Sequence, residues 1–228
     1  MSEKAVILKT ENLGIAFGGL KAVNDFNIEI RQGELVGLIG PNGSGKTTVF
    51  NLLTGVYVPT EGNVYLMGKK ITGMKTHRIV QHGIARTFQN IRLFGEMTVI
   101  ENVKIAFTKD IKYNLLDTML RTPRYFSIEQ SLEERAMECL KIVNLDDKAN
   151  YLAKSLPYGQ QRKLEIARAL ATDMKLLLLD EPAAGMNPTE TAELLQCIND
   201  IRKKFNIAIF LIEHDMSLVM KICERIQV

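Results

Sequence analysis

The chain has 228 residues, enough for one well-buried core and a small additional lobe but hardly for two full independent domains. Its 29 basic and 26 acidic residues give a formal net charge of +3, too balanced to require nucleic acid or an anionic membrane as a partner. The cysteines, Cys139, Cys197 and Cys223, lack C-x-x-C spacing and are typical of reduced structural thiols. No apolar run approaches the roughly 18 residues of a membrane span, and no signal-peptide pattern is present.

The first third of the chain is predicted to form strands around one helix. Residues 23–30 alternate loosely between apolar and polar, and residues 35–39 are continuously apolar, as expected of a strand covered on both faces. Residues 48–53 have the pattern of a helix that ends before Gly55, and residues 63–67 form a further short strand.

From about residue 98 to residue 152 the pattern becomes helical. Capping-box patterns begin at Ser127 and at Ser131, one helical turn apart, and they predict that a helix begins within that turn. The spacing places four apolar side chains on one face of that helix: Leu132, Ala136, Leu140 and Val143. We therefore expect a helical lobe, at about residues 91–156, inserted into a sheet domain.

The last third alternates helices with apolar strands. A helix is predicted at about residues 159–172, a strand at 176–179, a helix after Asn187, a strand at 207–212, and a final helix from residue 217. This order predicts an α/β fold with a largely parallel sheet.

The segment after the second strand matches the phosphate-binding pattern G-x-x-x-x-G-K-[ST]. Its glycines allow backbone N–H groups to surround a phosphate chain, Lys46 reaches the β and γ phosphates, and the Thr47 hydroxyl ligates Mg²⁺. The candidate nucleotide-binding residues are Gly40, Pro41, Asn42, Gly43, Ser44, Gly45, Lys46, Thr47 and Thr48. The pattern alone leaves kinases, GTPases and motor proteins open.

Two acidic residues follow the apolar run at residues 176–179 and narrow the choice among these classes of protein. Asp180 stands at the carboxyl end of a buried strand, where a carboxylate can orient the shell of Mg²⁺. Glu181 is one residue further on and can polarise the water that attacks the γ-phosphate. A signalling GTPase is disfavoured because no N-K-x-D run is present to recognise guanine.

Further segments make the chain similar to the ATP-binding cassette (ABC) ATPases. Residues 87–90 (T-F-Q-N) resemble the family's Q-loop, 184–187 (A-G-M-N) its D-loop, and 212–215 (I-E-H-D) its switch histidine. Residues 156–160 (L-P-Y-G-Q) stand where the family signature lies. The resemblance implies a P-loop NTPase (RecA-like) core with a mostly parallel sheet, an antiparallel β part on the N-terminal side, and an inserted helical subdomain.

The resemblance also implies that the chain binds and hydrolyses ATP with Mg²⁺. Gln89 and His214 are expected to act beside Glu181 in catalysis, and Thr47, Gln89 and Asp180 are expected to contact the metal.

An aromatic residue and the signature complete the implied nucleotide contacts. Phe17 lies where the family places an aromatic ring that stacks on adenine; an ordinary core phenylalanine is the alternative. The signature residues, expected to act on a partner's ATP, are Leu156, Pro157, Tyr158, Gly159 and Gln160.

The signature departs from the common Leu-Ser-Gly-Gly-Gln form at two positions. Pro157 replaces the serine, whose hydroxyl is lost as a donor, and Tyr158 replaces the first glycine. The helix that begins at about Gly159 keeps its N-terminal N–H groups, which still favour an anion. Asn187 likewise stands where aspartate is usual in the D-loop.

Residues 85–103 and the tyrosine in the signature resemble one subfamily, the ATPase subunits of branched-chain amino-acid importers. The resemblance implies a head-to-tail dimer on transmembrane permease subunits at the cytoplasmic face, without nucleic acid and without direct contact to the transported substrate. A heterodimer with a second ABC ATPase is expected, and a homodimer is the alternative.

Other functions stay open at this point. Cassettes for urea or amide import or for lipopolysaccharide export are the nearest alternatives, followed by a soluble ABC ATPase without a transport role. The apolar residues after Gln89 are expected to dock a permease helix or to belong to the lobe's core: Ile91, Leu93, Phe94 and Met97. Because family members usually continue beyond this point, the C-terminus at Gln227 and Val228, where a strand begins, is expected to be truncated.

Overall fold

The structure is a computed structural model that describes residues 4–110 and 115–228. They divide into two compact units. The first comprises residues up to Gln89 together with 174–185 and 198–228, and the second comprises residues 90–173 and 186–197. The predicted helical lobe, about 91–156, falls within the second unit, and its boundaries stay a prediction. Its residues 111–114 lie outside the described residues.

The strands of the first unit form two sheets. The strands are β1 (Val6–Phe17), β2 (Leu20–Arg31), β3 (Leu35–Leu38), β4 (Glu61–Leu66), β5 (Lys69–Lys70), β6 (Ile84–Arg86), β7 (Leu176–Asp180), β8 (Ala208–Ile212) and β9 (Arg225–Gln227). One sheet is antiparallel in the order β2-β1-β4-β5, and the other is parallel in the order β6-β7-β8-β3-β9. The predicted α/β fold, with its parallel sheet and an antiparallel β part, is confirmed.

The helices are α1 (Lys46–Leu53), α2 (Thr76–Gln81), α3 (Val99–Lys104), α4 (Leu115–Leu120), α5 (Pro123–Ile142), α6 (Tyr158–Leu170), α7 (Pro188–Phe205) and α8 (Met216–Ile222). None of these helices, within the described residues, combines the length and apolar character that a membrane-spanning helix requires. The continuously apolar strands β3, β7 and β8 are buried along their whole length, as parallel strands covered on both faces must be.

The predicted start of the long helix α5 was wrong. The capping-box patterns at Ser127 and Ser131 lie inside the helix, which begins one turn earlier at Pro123. The Thr122 hydroxyl accepts a hydrogen bond from the Tyr125 N–H, and Pro123 occupies the first helical position, where its missing N–H costs nothing. The predicted apolar face is correct, since Leu132, Ala136, Leu140 and Val143 are all buried.

Candidate nucleotide-hydrolysis site

The phosphate loop joins β3 to helix α1 and requires glycine at its last turn. Gly45 precedes the first residue of α1 with φ of +90°, a conformation that side-chain-bearing residues rarely adopt. A Cβ at Gly45 would lie 2.4 Å from the Ala22 carbonyl oxygen. No side chain caps this end of α1, so its N-terminal N–H groups and positive dipole end are directed at the loop. The loop therefore has the geometry of an anion site.

Lys46, the first residue of α1, points back into the loop. Its Nζ donates hydrogen bonds to the Gly40 and Pro41 carbonyl oxygens, at 2.8 and 2.9 Å, and the residue is buried. Phosphate oxygens can replace these two acceptors without moving the ammonium group out of the loop. The structure thus holds the charge of Lys46 where a phosphate chain would lie.

Glu181 follows β7 and is held between two other predicted catalytic residues. Its Oε1 lies 2.7 Å from His214 Nε2, and its Oε2 accepts a hydrogen bond of 2.9 Å from Gln89 Nε2. The backbone of Glu181 has φ of +45°, which costs a non-glycine residue about 1–2 kcal/mol. The structure therefore brings Gln89, Glu181 and His214 together around one carboxylate.

Asp180 is paired with an arginine that the sequence interpretation missed. Arg86, in β6, donates from Nη2 to Asp180 Oδ2 at 2.6 Å and from Nη1 to Asn51 Oδ1 at 2.7 Å. Both charged side chains are almost fully buried, and the guanidinium also lies over the Phe50 and Phe88 rings. Arg86 thereby fixes one oxygen of the Asp180 carboxylate. Its only sequence signal is its position three residues before Gln89.

Glu213 is a second residue that sequence reasoning missed. Its Oε1 accepts from the Ala183 N–H at 3.1 Å and its Oε2 accepts from the His214 N–H at 3.3 Å. Burial raises the pKa of the Glu213 carboxyl above its ordinary value. Glu213 therefore connects the turn that carries Glu181 with the segment that carries His214.

A cleft of about 770 Å³ opens above these groups, within the usual range for small-molecule sites. Its lining comprises Ala22, Asn42, Gly43, Gly45, Lys46, Thr47, Thr48, Gln89, Glu181 and His214. A second groove of about 750 Å³ lies along α5. Four glutamates line that groove, Glu129, Glu133, Glu134 and Glu138, and they would repel a triphosphate. The cleft at the phosphate loop is therefore the candidate nucleotide site.

Phe17 is not among the side chains that line this cleft. It ends β1, is about half exposed, and packs edge to face against Tyr57 with the ring centroids 5.3 Å apart. Its role as an adenine platform stays a prediction.

The donor set at the cleft fits Mg²⁺. Thr47, at the start of α1, offers a hydroxyl, Asp180 a carboxylate, and Gln89 an amide group, and hard oxygen ligands are those that Mg²⁺ prefers. Thr47 and Gln89 line the cleft directly, whereas Asp180 is buried and is not among the lining residues.

The signature lies in the second unit, where Pro157 precedes the first residue of α6. Pro157 offers no side-chain cap, as its sequence predicts, and the Tyr158 ring is partly exposed. Leu156 and Gly159 are buried, and Gln160 Oε1 accepts a hydrogen bond of 2.9 Å from Lys148 Nζ.

Asn187, in the predicted D-loop, caps α7. Its Oδ1 accepts from the Glu190 N–H at 2.9 Å, and Glu190 Oε2 accepts from the Asn187 N–H at 3.2 Å. A capping box is therefore present at the start of α7, with Asn187 as a neutral acceptor.

The apolar residues after Gln89 are not fully buried. Phe94 is about half exposed, and Ile91, Leu93 and Met97 are partly exposed. Whether they dock a permease helix or belong to the core of the lobe stays a prediction.

Comparison with known proteins extends these observations. The ABC transporter family model matches residues 23–184. The chain is 48% identical over 222 residues to the high-affinity branched-chain amino acid transport ATP-binding protein BraF of Pseudomonas aeruginosa, covering 97% of this chain and 87% of that protein.

Two solved structures share the fold. One is the ADP conformation of an ATP-binding cassette of an ABC transporter, with a TM-score of 0.83 and 32% identity over 96% of this chain and 85% of the other. The second is a bacterial ABC transporter cassette solved as a dimer, with a TM-score of 0.77 and 26% identity over 96% and 93% of the two chains.

Proposed function

The chain belongs to the ABC transporter family, and we propose that it is the ATP-hydrolysing subunit of an importer for branched-chain amino acids. The observation that carries the chemistry is the Glu181 carboxylate, held by Gln89 and His214 at the edge of the phosphate-loop cleft. The substrate class rests on the similarity to BraF and on the tyrosine in the signature.

Each group in the cleft has one task in hydrolysis. Lys46 and the N-terminus of α1 stabilise the phosphate chain. Glu181 accepts a proton from the attacking water, while His214 and Gln89 keep its carboxylate oriented. Mg²⁺, when held by Thr47, Asp180 and Gln89, supplies the charge that neutralises the phosphate oxygens. Arg86 and Glu213 set the positions of Asp180 and His214.

The cleft is one half of a complete site. ABC ATPase subunits work as dimers together with transmembrane permeases, and a related cassette was solved as a dimer. We expect the signature of a partner subunit, residues equivalent to Leu156–Gln160, to cover the ATP bound at this phosphate loop. We propose a heterodimer with a second ABC ATPase. Sizing the Glu181→Gln variant with ATP tests this, because a tight homodimer would contradict it.

We propose that the subunit works in the cytoplasm, bound to permease subunits at the inner face of the membrane. The partly exposed residues Ile91, Leu93, Phe94 and Met97 are the candidate docking side chains. The subunit is expected neither to contact the transported amino acid nor to bind nucleic acid. Cysteine crosslinking from Phe94 to a cytoplasmic permease helix would support this, and crosslinks confined to other surfaces would contradict it.

The decisive experiment purifies the chain with the permease and ATPase subunits that accompany it and measures phosphate release. Hydrolysis stimulated by a branched-chain amino acid and its binding protein is the expected result. Stimulation by urea or an amide would move the assignment to the related importers, and stimulation by lipopolysaccharide would move it to an exporter. Unchanged hydrolysis with and without membrane subunits would favour a soluble ABC ATPase.

A further inference from the structure

The irregular segment at residues 91–94 is held by side chains instead of by a helix or a strand. The backbone groups of such segments need partners from elsewhere. Glu165 Oε1 accepts from the Arg92 N–H at 2.9 Å, and Arg168 Nη1 donates to the Arg92 carbonyl oxygen. Two residues later, Asn102 Oδ1 accepts from the Phe94 N–H at 2.9 Å, and its Nδ2 donates to the Phe94 carbonyl oxygen at 3.0 Å.

These contacts come from two helices, and two of the side chains that make them are buried. Asn102, on α3, is fully buried, and its amide also donates to the Thr98 carbonyl oxygen at 2.9 Å. Glu165, on α6, is 6% exposed, and the guanidinium of Arg168 lies over the Phe94 ring. Hydrogen bonds made by buried side chains fix geometry, because losing the partner leaves a buried polar group unsatisfied.

The same face of α6 continues into the signature. Arg162 is fully buried, donates from Nη1 to Glu165 Oε2 at 2.7 Å, and places Nη2 3.4 Å from the Tyr158 hydroxyl. Tyr158, Arg162 and Glu165 are spaced four and three residues apart, which puts them along one helix face. A buried ion pair adds little net stability compared with apolar residues of similar volume, so positioning accounts better for its presence than stability does.

We propose that Glu165 and Arg168 are positioning residues that clamp the Arg92 backbone onto the signature helix α6, while Asn102 holds the adjoining Phe94 backbone on α3. Arg162 extends this clamp to Tyr158. The segment that follows Gln89 and the signature then change position together. This inference rests on the proposed function, because the signature acts in hydrolysis only in a dimer.

Hydrogen exchange and steady-state hydrolysis test the clamp. The double variant Arg162→Met with Glu165→Leu removes both charges and the acceptor for the Arg92 N–H while keeping apolar volume. We expect the exchange of peptides covering residues 91–97 to accelerate at least tenfold. We also expect kcat to fall at least tenfold with the KM for ATP unchanged, since the phosphate loop binds ATP. The conservative variant Glu165→Gln, with Arg162 kept, retains an acceptor oxygen for the Arg92 N–H. It should therefore show most of the exchange protection of the wild type.

The matched control is an ion pair between α6 and α7 whose glutamate side chain is exposed. Lys163 Nζ lies 2.8 Å from Glu193 Oε2, and Lys163→Met with Glu193→Leu should alter neither measurement. If the double clamp variant fails to fold, Arg168→Met removes the contacts of the guanidinium with the Arg92 carbonyl and the Phe94 ring, and it should raise exchange in the same peptides.

Unchanged exchange at residues 91–97 in a folded clamp variant would overturn the proposal, as would unchanged kcat. A wild-type protein without hydrolysis would instead contradict the proposed function, while the exchange experiment would still decide whether the clamp exists.

Discussion

The phosphate-loop cleft and the signature helix each hold a pair of contacting polar side chains, which is partly accessible in the cleft and buried on the helix. Glu181 and His214 contact each other at the cleft with their side chains 18% and 42% exposed. In the pair on α6, the side chains of Arg162 and Glu165 are 0% and 5% exposed. A partly accessible pair can act on a bound molecule, whereas a buried pair acts on the surrounding chain. The cleft therefore supplies chemistry, and α6 supplies position.

The largest expected effect is on hydrolysis. Glu181→Gln keeps the shape of the side chain but removes the carboxylate that accepts the proton, so turnover should fall on the order of 10³-fold. Nucleotide binding should persist because Lys46 and α1 are untouched. Phosphate release and binding of a fluorescent ATP analogue, measured side by side, check both parts. Hydrolysis at the wild-type rate would exclude Glu181 from the proposed role.

The next largest effect is on the free energy of unfolding and concerns the buried pair on α6. Arg162→Met alone leaves Glu165 buried without its ion partner, which should lower the free energy of unfolding by about 3 kcal/mol. The double variant with Glu165→Leu should recover most of this loss. Urea unfolding of both variants decides the matter, and equal destabilisation by the single and double changes would contradict the pairing.

A smaller effect concerns the dependence of stability on pH. Because burial raises the pKa of Glu213 above 4.5, the folded protein holds this proton more tightly than the unfolded chain does. The contribution of this carboxyl to stability is therefore greatest below pH 4.5 and is lost as the pH rises through its raised folded value. Glu213→Gln should flatten the decline in urea midpoint over this range. An identical pH slope in the variant would show that other groups cause it.

The smallest effect is expected at the surface. Glu193→Gln weakens the hydrogen bond from Lys163, which lowers the pKa of the exposed Glu193 carboxyl. Exposed pairs contribute little to stability, so the thermal midpoint should match that of the wild type within error. A marked drop in a thermal scan would mean that α6 depends on surface charge as well as on its buried pair.

Much of the fold follows from local patterns. The apolar runs at residues 35–39, 176–179 and 207–212 correspond to β3, β7 and β8, since a strand buried on both faces needs apolar side chains throughout. Gly55, with φ of +69°, lies just beyond α1 as expected. The start of α5 was misplaced because several capping patterns competed, and Thr122 with Pro123 formed the cap.

Short motifs in the right order were enough to identify the family and to nominate Lys46, Gln89, Glu181 and His214, because each motif needs particular residue types at fixed positions within it. Only the tertiary structure revealed the partners of these motifs. Arg86 meets Asp180 across 94 positions of the chain, and Glu165 meets Arg92 across 73. No local pattern encodes such pairs, because they form only when folding brings distant segments together and excludes water from the charges.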